Sequence, residues 1–129
     1  MRELNRFQLS DHFNLREFQC PCCGRVKLHS AVIDALEALR SKIGNKPIII
    51  ESGYRCAEHN EDIGGAPDSD HLYGWAVDVR VNEMSPAEIA NAAKRLPALI
   101  KRLGLYEGRD CVHIGVVERE DFPSRWGMP

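Results

Sequence analysis

From Ser30 onward, apolar residues return every three or four positions, at Val32, Ile33, Leu36, Leu39 and Ile43. That spacing predicts a helix with one continuous apolar stripe, closed by Gly44 as its C-terminal cap. The pattern then changes. "KPIIIES" is a β-branched run opened by proline and ended by "SGYR", which predicts a short buried strand running into a turn. "WAVDVRV" alternates with period two and predicts a second strand carrying Asp78, with the apolar Ala76 and Val77 around it building core; "CVHIGVV" predicts a last strand bearing His113.

Two helix starts are written in polar residues. In "SPAEIANAAKRL", Ser85 is the cap, Pro86 takes the first helical position and Glu88 closes the capping box. In "NLREF", Asn14 and Glu17 make the same box for a short helix that "CPCCG" ends, with Phe13 and Phe18 as its anchors. Between them "NEDIGGAPDSD" is a glycine-rich loop that delivers the chain to His71. Strand pairs mixed with helices, without regular alternation, predict an α+β fold.

Length sets the scale: 129 residues suit one domain, taken here as 1–129. The net charge is −2 and neither sign gathers into a long block, so the footprint of a nucleic-acid partner is missing. The opening "MRELNRFQLSDHFNLREF" has no apolar run of signal-peptide length and no later stretch suits a bilayer. The expectation is a chain without membrane attachment, cytoplasmic as synthesised. Five cysteines, Cys20, Cys22, Cys23, Cys56 and Cys111, are an odd number, and reduced thiols are expected. "CPCC" with Cys56 supplies four soft ligands for a second metal ion, although the spacing is not that of two paired knuckles, and buried thiols are the plainer reading.

The candidate chemistry centres on "SDHLYGWAVDV". His71 at a loop end, Asp78 on the adjoining strand and the distant His113 give two imidazoles and a carboxylate, the donor set of a catalytic zinc that keeps one position open. Asp110, three residues before His113, is a candidate general base, with Glu107 in "YEGRDC" as its rival. Arg55 in "SGYR" is a candidate for holding an oxyanion or a substrate carboxylate. Ser69 and Tyr73 are candidate substrate contacts. Each also has a plainer reading: the histidines and Asp78 as packing or surface residues, Arg55 as an exposed salt-bridge partner, Ser69 and Tyr73 as turn residues.

The run "SGYRCAEHNEDIGGAPDSDHLYGWAVDV", with Arg55, Asn60, Gly64, Gly65, Ser69, His71, Gly74, Ala76 and Asp78, resembles the zinc D-alanyl-D-alanine carboxypeptidases and L-alanyl-D-glutamate endopeptidases of bacteria and their phages, the short phage-type members above all. "FNLREFQCPCCG" resembles their opening segment and "SRWG" their close. The resemblance implies a hedgehog/D,D-peptidase fold, a small antiparallel sheet with flanking helices, and one Zn²⁺ held by His71, Asp78 and His113. It implies Asp110 as general base, Arg55 near the scissile carbonyl, and peptidoglycan stem peptides as substrate, cut by water that the zinc activates. Such a protein is expected to be a monomer that reaches the wall after release, as a phage or prophage lysin does. A non-catalytic zinc module of the same fold is the alternative. In one place the chain departs from the pattern: many relatives carry an acid two residues after the last histidine, where this chain has Gly115. The support given to that histidine is therefore expected to differ.

Overall fold

The computed structural model describes residues 5–128; the remaining residues of the expected domain over 1–129 lie outside it. Helix α1 spans Ser30–Lys42, α2 Ala57–Asp62 and α3 Pro86–Ala93. The strands are β1 Ile49–Ser52, β2 Ala76–Arg80, β3 Arg102–Leu105, β4 Val112–Gly115 and β5 Arg125–Trp126. Single 3-10 turns lie at Leu15–Phe18 and Asp70–Tyr73. The fold is α+β, as the sequence predicts, and none of the helices among the described residues is long and apolar enough to cross a membrane.

The expected caps form. Asn14 and Glu17 close a box around the first 3-10 turn, and Ser85 and Glu88 close another at the start of α3 with Pro86 at its first position. Helix α1 is capped by His29, whose Nδ1 accepts from the amide of Ala31, a role the sequence reading had not assigned. At its other end Gly44 adopts φ +79°, the left-handed conformation that favours glycine after a helix.

The five strands are ordered β1-β2-β4-β3-β5, antiparallel except for the short parallel pair β3–β5. One face is apolar. Val77 and Val79 of β2, Leu103 of β3 and Val112 and Ile114 of β4 join Val32, Leu36 and Leu39 of α1, Ile89 of α3, and Phe13 and Phe18 in a single buried cluster. Ala76 is buried but stands outside that cluster, because with period-two alternation it shares a face with Asp78. The neighbours of Asp78 that build core are therefore Val77 and Val79, rather than Ala76 and Val77.

The opposite face carries one polar row. Ser52 pairs with Asp78, Asp78 with His113, His113 with Gly104, and Gly104 with Trp126, so one residue from every strand lies in register across the sheet. A register shift between Ile50 and Ser52 brings Ser52 opposite Asp78; irregularities of this kind re-aim side chains beside functional sites. Gly104 has no side chain for a reason visible in this row, since a Cβ there would lie 1.9 Å from Cε2 of Trp126.

Replacing Leu36, which is fully buried, by alanine is expected to cost about 2–5 kcal/mol in urea denaturation. The same change at Ile63, which is 52% exposed, is expected to cost no more than about 0.5 kcal/mol.

Candidate metal centre

His71 is placed by a tight local turn. Ser69 caps the 3-10 turn Asp70–Tyr73, its Oγ accepting from the His71 amide at 3.2 Å. Gly74 ends the turn at φ +71°, and a Cβ there would meet the carbonyl oxygen of Lys27 at 2.3 Å. The ring is then fixed from behind. Its Nδ1 lies 2.7 Å from the carbonyl oxygen of Gly53, which only accepts, so Nδ1 carries the proton and Nε2 presents a lone pair. That Nε2 is buried, without a hydrogen-bond partner, and faces Oδ1 of Asp78 at 3.3 Å.

His113 approaches from β4. Its Nδ1 stands 3.2 Å from the same Oδ1, and the two imidazole rings lie 5.2 Å apart at 73°. One donor atom from each of His71, Asp78 and His113 falls within 4.8 Å of the others, and all three residues are buried. A buried imidazole nitrogen left without a partner, aimed at a carboxylate beside a second imidazole, fits a divalent ion with nitrogen and oxygen ligands. Burial works against the charge on Asp78, but His71 and His113 outweigh it and hold its carboxyl far below the usual range.

Arg55 is buried, which removes the reading of an exposed salt-bridge partner. Its guanidinium donates to Ser52 Oγ at 3.1 Å, to Asn60 Oδ1 at 2.9 Å and to Oδ2 of Asp78 at 3.4 Å. Asn60 in turn donates to the carbonyl of Ala66 at 2.8 Å. Gly65 completes the arrangement by omission: a Cβ there would come within 2.1 Å of Asn60 Oδ1 and 2.9 Å of the guanidinium.

Two hollows meet at these residues. The larger, about 700 Å³, is walled by Arg55, Ser69, His71, Tyr106, His113 and Trp126, among others. The smaller, about 410 Å³, is lined by Asp78 together with Glu51, Ser52, Arg80, Arg109, Asp110 and Cys111. Asp110 thus shares a hollow with Asp78 but is exposed and makes no hydrogen bond or ion pair to another described residue. Glu107 is exposed and lines neither hollow. Tyr73 stands apart: its ring stacks on Trp75 at 4.4 Å and its hydroxyl donates to Asp68, beside a third groove.

The structure adds residues the sequence reading did not single out. Tyr106 Oη lies 3.2 Å from His113 Nδ1 and 3.5 Å from Asp78 Oδ1, and burial first, then Asp78, pushes its phenol well above the usual range, so it remains a donor. Trp126 packs on the ring of His113 with centroids 4.9 Å apart. Most informative is Asp70. Its Oδ2 is 3.4 Å from His113 Nε2 and is bonded by Arg102, while its Oδ1 accepts from Arg119 at 2.8 Å. Burial opposes its ionisation, but His113 and the two arginines bring its pKa down to about 2.

Asp70 also accounts for Gly115. A Cβ on Gly115 would lie 3.2 Å from Asp70 Oδ2, 3.0 Å from the Cβ of Arg102 and 3.5 Å from His113 Nε2. The space that a side chain at 115 would take is held by the Asp70 carboxylate. An acid therefore does stand behind His113, supplied by the residue before His71 instead of from β4. Its sequence signal was its place beside His71, together with a missing acid that required a substitute.

A family model described as peptidase M15 matches residues 11–115. Among curated proteins the chain is similar to the zinc D-Ala-D-Ala carboxypeptidase of Streptomyces albus G, 37% identical over 59 residues. That match covers 46% of this chain and 23% of the relative, so the chain spans under a quarter of the length of the curated protein it matches.

Asp70→Asn is expected to weaken zinc binding about 10- to 100-fold in a competition titration, as loss of a partner behind a ligating histidine does. Asp70→Ala combined with Gly115→Asp is expected to recover part of that loss. Unchanged affinity in Asp70→Asn would show that the carboxylate gives the histidine no support.

Proposed function

We propose that this chain, which belongs to the peptidase M15 family, is a zinc metallopeptidase that hydrolyses peptide bonds of the peptidoglycan stem, with His71, Asp78 and His113 as zinc ligands. The observation that carries this reading is the unpartnered Nε2 of His71, buried and aimed at the carboxylate that His113 also faces. Zinc bound there supplies a Lewis acid and brings the pKa of water down to about 7.

The protein's own groups divide the rest of the work. Gly53 and Asp70 hold the two imidazoles by their outer nitrogens, so each presents its inner nitrogen without reorganising. Arg55, clamped by Ser52 and Asn60, offers a fixed guanidinium at the wall of the larger hollow, where a carbonyl oxygen gaining negative charge is stabilised. Tyr106 offers a hydroxyl donor on the same side. Asp110 is the general base: it takes a proton from the attacking water and delivers it to the leaving amine. Its support is its position three residues before His113 and the hollow it shares with Asp78. Closing the remaining distance falls to bound substrate, since catalytic hydrogen bonds are often long before the complex forms.

The larger hollow has the shape and lining for an extended peptide. Its wall joins charged groups, Arg55, Arg102 and Arg109, to the aromatic surfaces of Phe122 and Trp126, which suits a short peptide bearing a carboxylate. Ser69 lines it as well as capping its turn, and so stays a candidate substrate contact; Tyr73 belongs to a neighbouring groove and would meet only an extended substrate. Release to the wall as a phage-type lysin, and action as a single-domain monomer, are parts of the same proposal.

The test is mass spectrometry of soluble products from purified peptidoglycan, with and without a zinc chelator. A terminal D-alanine released only without chelator marks a carboxypeptidase, and a cut between the first two stem residues marks an L-alanyl-D-glutamate endopeptidase. Absence of any chelator-sensitive product across wall types would leave a non-catalytic zinc module of the same fold. Asp110→Asn is expected to lower kcat about 10²- to 10⁴-fold while zinc content stays that of the parent.

A further inference from the structure

A second group of metal-type donors lies outside the triad. Cys20, Cys22 and Cys56 bring their sulfurs within 4.8 Å of one another, although Cys56 is 36 residues from Cys20 in sequence. The Sγ of Cys56 is 3.7 Å from that of Cys20 and 3.9 Å from that of Cys22. Cys23, exposed and adjacent to Cys22 in the same turn, supplies a fourth thiol, although its sulfur is not among the three that lie within 4.8 Å of one another.

The distances discriminate between two chemistries. A disulfide holds its sulfurs about 2.05 Å apart. Four thiolates set tetrahedrally around zinc at about 2.3 Å stand about 3.8 Å from one another. The two separations from Cys56, 3.7 and 3.9 Å, match the second figure. The backbone is also arranged for sulfurs that accept. The amide of Cys56 points at Cys20 Sγ from 3.5 Å, and the amide of His59 at Cys56 Sγ from 3.4 Å. A tight turn places the first three cysteines: the Cys20 amide donates to the carbonyl of Arg25 at 2.7 Å, the Gly24 amide to that of Cys20 at 2.8 Å, and Gly24 takes φ +73°.

We infer that Cys20, Cys22, Cys23 and Cys56 form a second, structural zinc site closed by four thiolates. Zinc replaces the four thiol protons, which are released to solvent. The site ties the turn after Phe18 to the segment leaving β1, and that segment supports two members of the triad. Phe18 accepts from the Tyr54 amide at 2.8 Å, Gly53 holds His71, Arg55 faces Asp78, and Cys56 follows directly. A Cβ on Gly53 would come within 2.6 Å of the Phe18 carbonyl oxygen, so the two segments are already in backbone contact. The ion's role here is structural, because all four corners are protein sulfurs and no position is open to a substrate.

The experiment is metal analysis of the purified chain and two variants. The parent is expected to carry about two zinc ions per chain and Cys22→Ser/Cys23→Ser about one. His71→Ala is expected to keep the cysteine-bound ion, so that failure of the triad proposal and failure of this one read out separately. Cys22 and Cys23 are exposed, so their replacement leaves the core intact. Cobalt loading gives a second readout. Thiolate-to-cobalt charge-transfer absorption in the near ultraviolet is expected in the parent and in His71→Ala, and is expected to be lost in the double cysteine variant. Unchanged metal content on removing both cysteines, absence of charge-transfer absorption in the parent, or a Cys20–Cys56 disulfide in the chain purified without reductant would each overturn the proposal.

Discussion

The constraint on which the rest of this structure turns is the carboxylate of Asp78, fully buried on an interior strand of a five-stranded sheet. A lone ionised carboxylate there would be prohibitively expensive, and neutralisation is the usual escape. Here the chain surrounds it instead: two imidazoles meet Oδ1 and a guanidinium meets Oδ2. Removing one partner from such a set generally costs about 3–5 kcal/mol, so the partners must themselves be held in place. Each is: His71 by a backbone carbonyl, His113 by Asp70, Arg55 by Ser52 and Asn60. Such an arrangement is costly as a stability device and well suited to receiving a cation.

The row across the sheet explains how so short a chain assembles this. Core residues occupy the alternate positions, Val77, Val79, Val112 and Ile114, so the hydrophobic pattern that fixes register also fixes which residues face the site. A slip of one residue would bury Arg80 and expose the valines. Glycine finishes the row on one side, where Gly104 admits Trp126 against His113. It also clears the space above, where Gly115 admits Asp70. In both cases a side chain is absent so that a residue distant in sequence can reach the histidine.

Much of this was legible in the sequence because it is local. The stripe from Val32 to Ile43, the boxes at Asn14 and Ser85, and the alternation around Asp78 are short-range patterns, and the structure bears out each element they predict. The three candidate ligands converge, since a loop-end histidine, a strand aspartate and a strand histidine can meet once β2 and β4 pair. What was not legible depends on which strands become neighbours. Ala76 reads as core because it is apolar and close to Asp78, yet alternation from Asp78 puts it on the site face. Arg102, Tyr106 and Trp126 come from β3, the turn after β3 and β5, whose places in the order β4-β3-β5 no periodicity reveals. Asp70 was hidden in plain view, because nothing local says that its carboxylate turns toward a histidine 43 positions away.

The segment from Gly53 to Cys56 gathers these threads. Four consecutive residues supply the acceptor that fixes the His71 tautomer, an amide bonded to Phe18, the guanidinium that neutralises Asp78 and a thiol of the cysteine cluster. It lies between a strand with one irregular pairing and a helix of only six residues, so regular structure alone gives it little rigidity. Its order must come from what it touches on either side. The triad restrains it from one side through His71 and Asp78, and the cysteine cluster from the other through Cys20 and Cys22. A segment held at both ends can keep Arg55 at a fixed distance from the centre, and an electrostatic contribution to catalysis depends on that kind of preorganisation.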